Sequence, residues 1–158
     1  MDNFLFYAHS GLRWLVMLMT IVALIHLSVR VWRRLPFDKM THRVVVIWSG
    51  LFGLQWIAGL LLFVVLGGFD LAHRWEHTVT MTIALAVAHA YVPLKRRADT
   101  VRYYGVLASI AIVLLLVIVG VARLPQGWTM SVDPPQETSH HLPLEDHQPF
   151  VRADFIVR

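Results

Sequence analysis

Hydrophobic and polar positions in this chain fall into blocks and seldom alternate. Four long apolar runs cover residues 11–31, 44–66, 73–92 and 104–122. A bilayer core about 30 Å thick needs about 20 apolar residues in a helix, and each run is long enough. In lipid the backbone must satisfy its own hydrogen bonds, so runs of this kind predict helices. The third is the most polar, with Arg74, Glu76, His77, Thr78, Thr80, Thr82 and His89. Ala84, Ala86, Ala88 and Ala90 keep it helix-favouring.

The links at 32–43, 67–72 and 93–103 are short, and Gly67, Gly68 and Pro93 mark span ends. Short links join antiparallel neighbours, so residues 1–123 are expected to form an all-α, up-down-up-down integral membrane bundle. Residues 124–158 hold five of the seven prolines and show no helical period. They are expected to be an extramembrane C-terminal tail, too polar for a core of its own. The closing FVRADFIVR is apolar enough to dock on a partner; a frayed end is the other reading. The first run is too long for a cleaved signal peptide and is expected to act as an uncleaved anchor.

Composition agrees with a membrane protein. Of 158 residues, 57% are hydrophobic and 15% charged, where a soluble domain carries about 25% charged residues. The net charge is +4, and its distribution says more than its size. Nine of the fourteen Lys and Arg residues flank the first and third links. By the positive-inside rule those links face the cytoplasm and both termini lie on the outer face, expected in a bacterial inner membrane. The basic residues sit between apolar runs, which fits anionic lipid and gives no nucleic-acid surface. Trp32, Trp48, Tyr91, Tyr103 and Tyr104 are expected in an inner aromatic belt. Phe4, Phe6, Tyr7, Trp14, Trp75 and Trp128 are expected in an outer one. The chain contains no cysteine, which excludes disulfides, thiolate zinc, cysteine-ligated iron–sulfur clusters and thioether haem. It also lacks a phosphate-binding glycine loop, HExxH and Gly-x-Ser-x-Gly. Its uninterrupted spans do not resemble the broken helices of transporters.

Ionisable residues within spans are costly and therefore functional candidates. Span one has His26 near its basic end and His9 just ahead of it; span three has His77 and His89. Spans one and three run parallel and would be diagonal. His26 lies roughly 6 Å from the basic boundary and His89 roughly 9 Å, so the two can meet at one level. His9 and His77 share the opposite end. Such pairs suit bis-imidazole haem iron, with one haem easier to place than two, because His77 and His89 differ by roughly 120° around their helix. The competing reading is interfacial histidines bonded to carbonyls, lipid phosphates or a neighbouring subunit. A second cluster gathers His9, Ser10, Arg13, Arg74, Glu76, His77 and Arg123. Its arginines suit haem propionates, a quinone head group or a lipid phosphate. An Arg13–Glu76–Arg74 surface network is the alternative. Gln55, at mid-span, is expected to bond a neighbouring helix. Met17, Met19 and Met81 read as core filling, and span four as a lipid-facing or docking helix.

HSGLRW at 9–14, QWIAGLLLF at 55–63, and Glu76-His77 with Ala88-His89-Ala90 resemble small bacterial four-span membrane proteins labelled cytochrome-b-like. The resemblance spans residues 9–128 and implies an electron-transport setting with haem b. The diagonal histidines are also similar to the haem-bearing helices of larger cytochromes b. The expected role is a small integral subunit of a respiratory or photosynthetic electron-transfer complex that holds haem b or quinone and passes electrons to other subunits. His9, His26, His77, His89, Arg13 and Arg74 are the candidate cofactor residues. The alternatives are a haem-free accessory subunit docking through span four and the tail, and a stand-alone quinol-reactive protein.

Overall fold

A computed structural model describes residues 2–67, 69, 71–124 and 127–128. It is all-helical among these residues: α1 (Asp2–Trp32), α2 (Lys39–Leu66), α3 (Ala72–Ala88), a 3-10 turn (Val92–Arg96) and α4 (Asp99–Ala122). Four helical stretches of 29, 27, 25 and 24 residues are long and apolar enough to cross a membrane. At 1.5 Å per residue the shortest measures about 36 Å, more than the bilayer core. Successive helices pack side by side and α4 closes on α1, giving a four-helix ring in which α1 and α3 are diagonal. One end carries the start of α1 and the end of α4. The other carries the basic links and is called the basic end below.

All four helices start earlier than the hydropathy reading, while α2 and α4 end where it placed them, at 66 and 122. α1 starts nine residues early, at Asp2, which places His9 inside the helix. α1 ends in a 6→1 and 5→2 pair, Leu35 N–H to the Arg30 carbonyl (3.0 Å) and Arg34 N–H to the Val31 carbonyl (3.0 Å). This closing turn puts Arg34 at φ 53°, a position where glycine is usual. α2 starts at Lys39 because Asp38 caps it, its carboxylate accepting from the Thr41 N–H at 2.9 Å and the Thr41 hydroxyl at 2.9 Å. Those two bonds, with Arg30 in support, hold the Asp38 carboxyl below the usual carboxylate range. α2 ends at Gly67, whose φ of 69° a side chain would strain.

α3 stops at Ala88, short of the expected 92. Pro93 explains this: its ring would clash with the carbonyl four residues back, that of His89, and it disfavours helix at Val92. The chain crosses to α4 through the short turn containing Pro93.

The core runs along the bundle axis through Val16, Ala23, Leu27, Val45, Trp48, Phe52, Ala84, Ala88, Val106, Ile110, Val113 and Val117. Two aromatic assignments are corrected. Trp48 is 1% exposed and donates to the Thr20 hydroxyl at 3.0 Å, so it is a core bridge between α2 and α1. Tyr103 is also buried. Span four packs one face into the core, buried from Tyr103 to Val121, and leaves the opposite face (Tyr104, Ile112, Leu115, Ile118) exposed.

A polar clamp fixes the basic end. Arg30 bonds the Tyr103 hydroxyl (3.1 Å), the Pro36 carbonyl (2.7 Å) and Asp38 (2.9 Å). Tyr103 donates to the Pro36 carbonyl at 3.0 Å, and the Phe37 N–H donates to Asp99 at 2.9 Å. The Arg102 guanidinium lies over the Phe37 ring at 3.8 Å. The first link is thereby strapped to the start of α4. Tyr103→Phe removes both hydroxyl bonds and should lower stability by about 1–2 kcal/mol, measured by denaturant unfolding in mixed micelles. An unchanged midpoint would show that the clamp carries no weight.

Candidate functional site

A cavity of about 190 Å³ lies toward the end that carries the termini, with all four helices contributing to its wall. α1 supplies Phe6, His9, Ser10, Arg13, Val16 and Met17, and α2 supplies Phe52, Gln55, Gly59 and Phe63. α3 supplies His73, Arg74, His77, Thr78 and Met81, and α4 supplies Val113, Val117 and Val121. Leu124 and Gly127 line it from beyond α4. His9 and Arg13 share the cavity face of α1, and His73 and His77 that of α3, as spacing of four requires.

Gln55 joins α2 to α1. Its Nε2 donates to the His9 carbonyl at 3.0 Å and lies 3.3 Å from each ring nitrogen of His9. The carbonyl can only accept, so the amide nitrogen must face it and Oε1 must point elsewhere. Gly59 makes this approach possible: a Cβ there would stand 2.7 Å from the His9 Cε1. Across the bundle, the His77 Nδ1–H donates to the Gly120 carbonyl at 3.0 Å. That bond sets the tautomer of a neutral His77, with a lone pair on Nε2.

Arg13 is held from beyond α4. Its guanidinium donates to the carbonyls of Gly127 (3.4 Å) and Trp128 (3.2 Å). It also stacks between the rings of Trp14 and Trp128 at 5.6 and 5.4 Å. Trp128 therefore braces an arginine of the cavity wall. The remainder of the expected tail, including His140, His141 and His147, lies outside the described residues.

Three buried polar atoms of this wall have no hydrogen-bond partner among the described residues: Arg13 Nε, Arg74 Nη1 and Gln55 Oε1. In a water-poor site each such group costs about 1–3 kcal/mol, more when charged. All three belong to residues that line this one cavity, which makes it the candidate site.

Of the six candidate residues, His9, Arg13, Arg74 and His77 come together here. His26 and His89 do not join them. The Thr41 hydroxyl proton goes to Asp38, so Thr41 accepts from His26 Nε2 at 3.2 Å. His89 caps its own helix, bonding the Leu85 carbonyl at 3.0 Å, and is exposed. The two take separate partners and form no pair at the basic end. Among the described residues no group of three or more His, Asp or Glu is placed to hold a metal ion. The Arg13–Glu76–Arg74 network does not form either: the ion pairs among the described residues are Arg30–Asp38 and Arg102–Asp99, and Glu76 and Arg123 are exposed. Thr78, Leu124 and Gly127 were not expected in the wall. Gln55 was expected as a bridge, and its spacing of four from Gly59 was the available sign that both face His9.

No protein family, curated protein or solved structure matches the chain.

Replacing Gly59 tests the close approach. Gly59→Ala and Gly120→Ala gain the same helix propensity, about 1 kcal/mol. At Gly120 the new methyl meets chiefly the Met81 Cε, the free end of a flexible thioether, at 2.5 Å. At Gly59 it meets a ring fixed by Gln55. Gly59→Ala should therefore be the less stable of the two by about 1–3 kcal/mol, read from thermal unfolding. Equal stability would mean that His9 is not held.

Proposed function

We propose that this chain is a small integral membrane subunit of an electron-transfer complex whose outer cavity binds the head group of a quinone. The observation that carries the reading is one apolar-walled cavity lined by His9, Arg13, Gln55, Arg74 and His77, three of which (Arg13, Gln55 and Arg74) also hold a buried polar atom without a partner among the described residues. A quinone suits such a wall: its carbonyl oxygens can accept from arginine side chains, and its flat ring packs against the apolar residues. Size agrees. A cavity of about 150 Å³ accepts a benzene ring, and this one measures about 190 Å³.

Haem b, the other expected cofactor, suits the space less well. A porphyrin is four pyrrole rings across, and as packed the cavity holds little more than one ring. His9 is a poor axial ligand here, because Gln55 faces both its ring nitrogens and Gly59 closes on its edge. His77 keeps the tautomer an iron ligand needs, but without an opposite partner it offers only one bond. The resemblance to cytochrome-b-like proteins supports the electron-transport setting and leaves the cofactor to geometry.

A quinol gives up two electrons and two protons. His77 Nε2 can take one proton at the ring, and the other leaves to water at the mouth of the cavity. The two electrons pass one at a time to a one-electron centre, haem or iron–sulfur, on a partner subunit. The distribution of basic residues supports an orientation with the basic end on the cytoplasmic, anionic-lipid side and the cavity near the outer face.

Gentle purification of the full chain should retain quinone, extractable in organic solvent, and show no b-type band in the reduced-minus-oxidised spectrum. Arg74→Met should weaken quinone binding about 10–100-fold, the worth of one charge-assisted hydrogen bond. A b-type spectrum without extractable quinone would overturn the reading.

A further inference from the structure

The basic end holds more positive charge than its own acids answer. Among the described residues those acids are Asp38 and Asp99, and each is already engaged: Asp38 by Arg30 at 2.9 Å, Asp99 by Arg102 at 3.3 Å. Lys39 and Arg43, in the first turns of α2, have no ion-pair partner among the described residues. Both line one open pocket with Phe37, Asp38, His42 and Arg102, where the first link meets the starts of α2 and α4. Three cations stand in that lining against one carboxylate, and the carboxylate also accepts from the Thr41 N–H and hydroxyl. The surplus charge suits a phosphate, which arginine grips with two parallel bonds and lysine as a point charge.

Beyond the two cations the same face of α2 turns apolar. At about 100° per residue, Lys39, Arg43, Ile47, Gly50 and Leu54 fall within an arc of about 80°, and all five are exposed. The rise from Arg43 to Leu54 is about 16 Å, the depth of one leaflet of a core about 30 Å thick. Gly50 gives this stripe a notch. Glycine weakens a helix interior, and in membranes the usual return is close packing against another helix. Gly53 and Gly59 have that return, since a Cβ there would meet Leu85 at 3.9 Å and His9 at 2.7 Å. A Cβ at Gly50 would meet nothing within 4 Å. Its missing side chain therefore opens the outward surface between Ile47 and Leu54.

We propose that this face of α2 is a specific site for one anionic phospholipid, its phosphate in the Lys39–Arg43 pocket and an acyl chain along Ile47, Gly50 and Leu54. Basic pockets at the ends of membrane helices recognise acidic head groups by this chemistry. Free phosphate matches the pocket and leaves the groove empty. A zwitterionic lipid matches the groove but brings an ammonium to a cluster of cations. The site is independent of what fills the cavity at the other end.

The test takes the full chain from nanodiscs of equal phosphatidylglycerol and phosphatidylcholine and counts retained lipid by native mass spectrometry. One phosphatidylglycerol should be retained, preferred over phosphatidylcholine by about tenfold or more. Lys39→Gln with Arg43→Gln should bring the preference near parity. Arg96→Gln with Arg97→Gln removes the same charge from the same end and should change it by less than about twofold, since these two lie outside the pocket. Gly50→Leu keeps the charge, fills the notch, and should lower retention several-fold. Excess inorganic phosphate should not displace the lipid. Equal retention of the two lipids by the wild type would overturn the proposal, and so would equal losses from the two double variants, which would mean diffuse surface attraction. Displacement by inorganic phosphate would also overturn it, leaving an anion pocket without a lipid chain. Where the Lys39/Arg43 variant fails to fold, the wild-type preference and Gly50→Leu decide.

Discussion

A polar side chain in a bilayer must find its partner within the protein, because water is not there to substitute. The bundle depends on that constraint, and each helix–helix seam has its own bridge. Trp48 donates to Thr20 between α2 and α1. Trp56 donates to Thr82 between α2 and α3 at 3.0 Å. His77 donates to the Gly120 carbonyl between α3 and α4. Arg30 donates to Tyr103 between α1 and α4. Apolar packing alone does not distinguish a neighbouring helix from a lipid tail, so these bridges set which face of each helix turns inward.

Against that background the cavity near the termini stands out. Elsewhere in the spans the surplus polar groups are absorbed locally: Thr80, Thr82 and Ser109 each return a hydroxyl to a carbonyl four residues back. Arg13, Arg74 and Gln55, which line one cavity, instead each keep a buried atom with no partner among the described residues. Arginine is an expensive choice for a purely structural position near lipid. Two of them, with two imidazoles and an amide around an apolar ring-sized space, read more naturally as a binding site for a polar-headed lipophilic molecule. The clamp at the basic end is the opposite case. There Arg30, Asp38, Asp99, Arg102 and Tyr103 pair with one another or with the Pro36–Phe37 backbone, so the clamp itself is a fixed joint with no call for a ligand.

The four spans were readable from hydropathy because the physics of a bilayer demands long apolar runs. The pairing of His9 with Arg13 and of His77 with His73 on common faces was readable from spacing. Rotation of one helix against another was not. In lipid the outward face is as apolar as the inward one, so the sequence of α4 gave no sign that Tyr103, Ile110 and Val117 face the core. Trp48 and Tyr103 looked interfacial because an amphipathic ring suits a headgroup layer, but a ring that finds Thr20 or Pro36 can be buried instead. The expected His26–His89 pair was drawn from depth alone. Depth missed two local events: Thr41 takes up His26, and Pro93 ends α3 so that His89 becomes its cap.

The central claim is that the cavity between His9, Arg13, Gln55, Arg74 and His77 is where a quinone ring sits. Photolabelling of the full chain with an azido-quinone, followed by mapping of the modified peptides by mass spectrometry, tests it most directly. Label should fall on the cavity-facing residues of α1 and α3, around 9–17 and 73–81, and an excess of unmodified quinone should compete it away. Label confined to the exposed face of α4, at Ile112, Leu115 or Ile118, and indifferent to competitor would contradict the claim.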